Sequence, residues 1–432
     1  SLLYKLSFNS IFYFRFFGAI LIALNSSFLF LISNKILKGL KKSLFIAILF
    51  SVAQSFLLLD GKEILTEHIV LTFFLVGLYA IINKKFYFVA GIFFCLSILI
   101  RLNFALPIMG IFIYVFFNFF KKKNNLFQLL KLTSPSVLIP FFITAYYFYI
   151  GEFSIFFDSN VTIPRIYSTL GYDGKNVIDM LIIFLTSLLT PNDINIYNRF
   201  IFWVISFSGF LFLFKKMKFS DDNLNLFSLS GILTLISIIP GGKFFPHYLI
   251  QITPYASFFF VVFFSFFKTK KKIIFSILFI IPLFLTLKYP IDEMKNVIKY
   301  KGNYKSYGCA TSLFHYLKKT YKSDEIVFAE ICNIIYFYLD QKPPTKFIHP
   351  SWIRHHRSEV VKIVSNNTIK EQYENILNNS DYLILSYKMD NMIKSYQLDK
   401  RYLTSFKLLK EFKFSKEFYR AHTNVFVYKK TN

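Results

Sequence analysis

The chain has 432 residues, of which 55% are hydrophobic and 21% aromatic, with a mean hydropathy of +0.47. That exceeds what a soluble globular domain carries, so a polytopic membrane protein is expected. The formal net charge of +26 invites a nucleic-acid reading, but the lysines gather in short loops between apolar spans, where they suit anionic lipid headgroups instead.

A span needs about 17–25 apolar residues, fewer where neighbours shield it. The pattern predicts spans at Ile11–Ser33, Leu44–Leu59, Ile64–Ile82, Phe86–Ile100, Phe104–Phe120, Val137–Ile150, Phe200–Phe214, Leu224–Pro240, Tyr248–Phe267 and Ile273–Leu287. Basic clusters at Lys35–Lys42, Lys84–Lys85, Lys121–Lys131, Lys215–Lys218 and Lys268–Lys272 all fall on one side if Val177–Thr190 lies flat in the outer interface. Short Lys-rich loops stay in the cytoplasm, so that topology is adopted. Gly151–Asn176 is then a long outer loop, and Ser1–Ser10 lies outside. A chain that starts outside without Met suggests an upstream span and loop. The Phe-, Ile-, Lys- and Asn-rich composition points to an AT-rich bacterial genome, hence to a bacterial inner membrane.

Beyond Pro290 the composition changes. Leu313–Lys319 reads as an amphipathic helix, Ile326–Ala329 as a buried strand and Ile334–Leu339 as a helix turn. Pro343 and Pro344 break the chain. Ile369–Leu377 is helical by period, and Tyr382–Ser386 and Val425–Tyr428 are strands. The expected architecture is a membrane domain, residues 1–289, of about ten spans with an interfacial helix, followed by a small α/β extracytoplasmic domain, residues 290–432. Cys95 reads as a packed apolar residue. Cys309 and Cys332 could pair in an oxidising compartment.

Candidate chemistry collects in the outer loops. In LLLDGKEILTEHIV, Asp60, Glu63 and Glu67 share one helix face at spacing i, i+3, i+7. Glu67 and His68 lie within apolar sequence, where an ionisable group is costly and faces a cavity. The carboxylates could serve as base, substrate clamp or metal ligand, and a divalent metal is left open as a cofactor. The competing explanation for Asp60 and Glu63 is a helix start favoured by the macrodipole. In IIPGGKFFPHYLIQITP, the glycine pair permits a tight turn, and Lys243, His247, Tyr248 and Gln251 gather near a helix N-terminus suited to phosphate. His247 and Gln251, four apart, are read as sharing a face. Arg101 ends a span and could bind phosphate bidentately or snorkel to headgroups. Arg165 and Tyr167 are weaker candidates. His315, His349, His355 and His356 lack metal-ligand spacing, and no P-loop, dinucleotide or serine-hydrolase motif occurs.

Three stretches resemble the glycosyltransferase-C superfamily, and within it the bacterial protein O-mannosyltransferase-like group that includes the aminoarabinose transferases. LLLDGKEILTEHIVLTFFLVGLYAII resembles a span opening on an acid. GGKFFPHYLIQITPYASFF resembles a late outer loop with a basic residue before an aromatic-Pro-His-Tyr element. EIVFAEICNIIYFYLDQKPPTKF resembles the extracytoplasmic domain. The resemblance covers nearly the whole chain through the order and spacing of these stretches. It implies sugar transfer from a polyprenyl-phosphate carrier to a lipid, glycan or protein acceptor at the outer face. It also implies that the best-known catalytic acid precedes Ser1, that Glu67 stands near a second acidic position, and that Lys243 and His247 approach the donor phosphate. Two other classes compete: a transporter or flippase of lipid-linked saccharides, and a structural partner in envelope polysaccharide assembly. Charges kept near one face and the absence of an inverted repeat argue against the transporter.

Overall fold

A computed structural model describes residues 11–54, 66–121, 125–169, 178–179, 182, 194–216, 221–238, 246–265, 267, 291, 295, 309–333, 335–345, 358–413 and 424–431. The chain divides into two compact units, Ser1–Phe157 with Lys175–Ile291, and Asp158–Gly174 with Asp292–Asn432.

The first unit is helical. Its main helices are α1 (Ile11–Leu37), α2 (Leu40–Ala53), α3 (Thr66–Ile82), α4 (Tyr87–Ile100), α5 (Ala105–Phe120), α6 (Leu126–Tyr149), α7 (Ile194–Lys216), α8 (Asp222–Ser237) and α9 (Thr253–Ser265). Among the described residues, Phe16–Leu37, Leu102–Phe120 and Leu126–Tyr149 are long and apolar enough to cross a membrane. Thr66–Ile82, Tyr87–Ile100, Phe202–Leu213 and Thr253–Ser265 are shorter apolar helices. The expected spans at Ile273–Leu287 and the interfacial Val177–Thr190 lie outside the described residues, apart from three positions of the latter.

Helix starts explain where the sequence reading slipped. The span expected from Val137 begins eleven residues earlier, at Leu126. Asn125 caps it by accepting the Gln128 N–H at 2.8 Å, and Gln128 returns the bond to the Asn125 N–H at 3.1 Å. This reciprocal box fixes the helix start, and the helix runs on past Lys131 with Pro135 and Pro140 in its interior. Asp221 caps α8 through the N–H groups of Asn223 and Leu224. Within residues 151–176, expected as a long outer loop, lie the helices Phe153–Phe157 and Ile163–Thr169 joined by a π-helical turn, Asp158–Thr162.

Aromatic packing fills the core. Phe74 of α3 meets Phe94 of α4 and Phe104, with ring centroids 5.8 and 5.2 Å apart. The opposite face of α6 exposes Val137, Leu138, Phe141, Phe142, Phe148 and Tyr149. A patch of that size is a liability in water and an ordinary lipid face in a bilayer.

In the second unit, β1 (Val327–Ala329), β2 (Tyr382–Leu385), β3 (Phe406–Lys413) and β4 (Asn424–Lys430) form one sheet in the order β1-β2-β4-β3. The β1–β2 pair is parallel; the other two are antiparallel. Helices α10 (Cys309–Leu317), α11 (Ser358–Ser365), α12 (Ile369–Asn379) and α13 (Met389–Tyr396) accompany it. Edge strand β3 was missed in the sequence because it is mostly exposed and Lys-rich, with a register shift between Leu408 and Lys410. Such features blunt a sheet edge. Cys332 is disulfide-bonded and lies at φ 63, while Cys95 is free and buried.

Close packing of α4 on α6 depends on Gly91. A Cβ there would collide with the Leu132 carbonyl oxygen and approach the Pro135 ring at 3.0 Å. Gly91→Leu is therefore expected to destabilise the full chain by about 1–3 kcal/mol or more. Thermal unfolding in detergent checks this, and an unchanged midpoint contradicts the packing.

Candidate functional site

Helices α3 and α4 are antiparallel neighbours joined by a turn at Lys84, whose φ is 56. At the open end of this hairpin the start of α3 meets the end of α4. A helix N-terminus favours an anion and a C-terminus a cation. The sequence supplies both: Glu67 in the first turn of α3 and Arg101 as the residue closing α4. They form an ion pair across 34 residues of chain.

The pair is closed by its neighbours. Glu67 is 1% exposed. Its Oε2 accepts from the Thr66 hydroxyl at 3.2 Å, and that hydroxyl also accepts from Arg101 Nη1 at 2.9 Å. His247 Nε2 lies 3.5 Å from Glu67 Oε1, an ion pair whenever the imidazole is protonated. The Arg101 guanidinium sits 4.9 Å from the Tyr248 ring centroid, a cation–π distance. His247 meets Tyr248 edge-on at 4.9 Å.

One buried carboxylate thus holds two basic side chains that keep some exposure, Arg101 at 19% and His247 at 25%. Arg101 has five N–H donors. The described bonds use Nη1 alone, so among the described residues Nε and Nη2 have no hydrogen-bond partner and could donate to an oxyanion. Among the described residues no three His, Cys, Asp or Glu side chains converge to hold a metal ion.

Some sequence expectations meet here and others do not. Glu67, His247, Tyr248 and Arg101 converge. His68 is 1% exposed, and its carbonyl accepts from Asn25 Nδ2 at 3.2 Å and Thr72 Oγ1 at 2.9 Å. Gln251 does not share a face with His247. Pro246–Gln251 is a 3-10 helix, in which residues three apart align. Gln251 therefore aligns with Tyr248, which corrects the shared face inferred from α-helical spacing. Asp60, Glu63 and Lys243 lie outside the described residues, as do the side chain of Tyr167 and His349, His355 and His356. Arg165 is exposed on the helix Ile163–Thr169 of the second unit.

The structure adds Asn25, Gln54, Thr66 and Asn103, which sequence reasoning did not single out. Asn25 is wholly buried inside the apolar α1, and Gln54 is 2% exposed at the end of α2. A buried amide within a span is itself a signal of function. Asn103 donates to Gln251 Oε1 at 3.0 Å.

No protein-family model matches the chain, and no curated protein sequence matches it. Among solved structures, ArnT from Cupriavidus metallidurans bound to undecaprenyl phosphate is similar, with a TM-score of 0.60 and 9% identity over 99% of this chain and 85% of that one. At that identity the likeness is one of fold: the chain shares the ArnT membrane fold, in keeping with the glycosyltransferase-C resemblance of its sequence.

Removing one partner of a buried ion pair costs about 3–5 kcal/mol, because the other charge is left unpaired. Arg101→Gln should lower the unfolding midpoint sharply, and Arg101→Gln combined with Glu67→Gln should recover part of that loss. Additive single losses in this double-mutant cycle would show that the two side chains do not interact.

Proposed function

We propose that the chain is a membrane glycosyltransferase that takes a sugar from a polyprenyl-phosphate carrier at the outer membrane face and moves it to a lipid, glycan or protein acceptor. The observation that carries this reading is Arg101: an anchored, partly exposed guanidinium with unspent donors beside His247. The fold it shares with a protein that binds undecaprenyl phosphate supports the choice of carrier.

In this reaction the acceptor hydroxyl attacks the anomeric carbon. The bond from that carbon to the phosphate oxygen breaks, and its electron pair leaves on the phosphate. A base takes the hydroxyl proton. The leaving group gains charge as the bond breaks, so fixed cations aimed at it stabilise the transition state. Arg101 and His247 fill that role, joined by Lys243 as the resemblance implies. Arg101 and His247 carry little reorganisation cost because Glu67 already holds them.

This reading changes the work assigned to Glu67. Its oxygens are occupied by Arg101, His247 and Thr66, so it is a positioning residue and not the base. The base is left to another outer carboxylate, for which Asp60 and Glu63 are the candidates in the sequence. A divalent ion at Glu67 would face the Arg101 cation, so charge neutralisation there is assigned to the side chains.

Sidedness follows from the lysine pattern and from Cys332. A disulfide persists in an oxidising compartment, which favours the second unit on the extracytoplasmic side of the bacterial inner membrane. Alkylation of whole cells should leave Cys332 unmodified until a reductant is added. Ready modification beforehand would show a free thiol and remove the disulfide argument for that side.

Turnover of an undecaprenyl-phosphate-linked sugar tests the activity. Arg101→Ala is expected to slow transfer by about 100-fold or more and to weaken binding of bare undecaprenyl phosphate. Arg101→Lys should restore charge without the forked geometry and recover only part of it. Full affinity for the carrier in Arg101→Ala would remove the guanidinium from the phosphate site.

A further inference from the structure

Beside the basic pair lies an amide pair whose chemistry differs from it. Asn103 follows Arg101 by two residues in the 3-10 turn Leu102–Phe104. Gln251 follows Tyr248 by one 3-10 turn. The two segments therefore touch twice, through Arg101 over Tyr248 and through Asn103 Nδ2 donating to Gln251 Oε1 at 3.0 Å. That bond uses one donor and one acceptor. The other ends, Asn103 Oδ1 and Gln251 Nε2, are buried and have no hydrogen-bond partner among the described residues. Gln251 is 0% exposed, while Asn103 is half-buried like Arg101.

Leaving two buried polar atoms unpaired is costly, and such atoms call for an explanation in a folded protein. What remains unpaired is one acceptor oxygen and one donor nitrogen. Reversing both amides exchanges the two roles and leaves the same count. A phosphate oxygen can only accept, and an ammonium can only donate. A hydroxyl can do both at once.

We propose that Asn103 and Gln251 are specificity-determining residues that read a ring hydroxyl of the donor sugar, next to the phosphate held by Arg101. This rests on the function proposed above and extends it from carrier to sugar. The hydroxyl donates to one amide oxygen and accepts from the other amide's N–H, entering from the half-buried Asn103 side. Sites built to pair a substrate hydroxyl reject analogues that lack it more strongly than apolar pockets reject size differences, because the protein's own polar atoms stay unpaired. The pair therefore selects for the sugar without contributing to phosphate affinity.

The test uses the full chain in lipid nanodiscs and two kinds of ligand. One is bare undecaprenyl phosphate. The other is a panel of undecaprenyl-phosphate-linked pentoses and hexoses with their monodeoxy analogues. The wild type is expected to bind at least one sugar-linked carrier about tenfold or more tighter than the bare carrier, and to lose that advantage with one particular deoxy analogue. Asn103→Leu with Gln251→Met should erase the advantage while leaving bare-carrier affinity within about twofold. The same double variant should hold or raise the unfolding midpoint, because both unpaired atoms are gone; a purely structural amide bond would lower it. If the double variant does not fold, Gln251→Met alone should erase the advantage.

Retention of the sugar advantage in a folded variant overturns the inference. So does equal weakening of bare and sugar-linked carriers, or a wild type that ignores the whole panel, which would assign the gap to a trapped water. A wild type that binds no undecaprenyl phosphate at all would instead sink the proposed function, and the sugar reading with it.

Discussion

A carboxylate cannot be taken out of water alone, and the architecture of the first unit's open end follows from that constraint. Glu67 is 1% exposed. An unpaired ionised group at that depth would cost several kcal/mol, so its burial is tolerable only with Arg101 and His247 in place. The dependence runs in both directions. Arg101 is fixed because Glu67 has nowhere else to put its charge, and His247 is drawn to the same oxygen from a distant part of the chain. Backbone dipoles reinforce the arrangement. The acid sits at the positive end of α3 and the guanidinium at the negative end of α4, so each charge favours its own helix terminus before the two charges meet.

The site is assembled where regular structure stops. Arg101 has extended backbone, φ −145 and ψ 112, and is followed at once by a 3-10 turn. His247, Tyr248 and Gln251 come from another 3-10 segment immediately before α9. Tighter winding changes which residues align: a spacing of three replaces a spacing of four. Tyr248 and Gln251 consequently face Arg101 and Asn103 as a matched set, while His247 is turned toward Glu67. An α-helical continuation of α9 through Pro246 would bring His247 closer to the face of Gln251.

What the sequence disclosed and what it withheld follow a physical division. The pairing of Glu67 with Arg101 was foreshadowed because a charge beside apolar sequence has few bland explanations. His247 and Tyr248 were legible through their proline and glycine context. Asn103 and Thr66 were not, because a short polar residue at a helix end usually reads as punctuation. Asn25 carried a signal, an amide in the middle of an apolar run, but nothing in a linear pattern says what it faces. Strands β1, β2 and β4 were visible as apolar runs. Edge strand β3 was hidden by the lysines that protect it. Helix α6 starts eleven residues before the apolar stretch at Val137 because the Asn125 capping box sets its N-terminus, and hydropathy alone does not report a cap.

The role of Glu67 decides how the chemistry should be apportioned. As a base it would need an open oxygen near the acceptor. As an anchor it needs the opposite, complete enclosure and neighbours that cannot drift. The geometry satisfies the second requirement: Thr66, Arg101 and His247 surround the carboxylate. An anchored guanidinium then contributes more than a free one, since holding a long side chain in one orientation is an entropy cost already met on folding. Sugar phosphates suit such a site because the phosphate leaves without a strong general acid. The demand on the protein shifts from proton delivery to fixed positive charge, and a buried acid that organises two basic groups supplies it. On this view the acid that matters for deprotonating the acceptor must lie elsewhere on the outer face, and replacing Glu67 should weaken phosphate binding and turnover together instead of removing a proton acceptor.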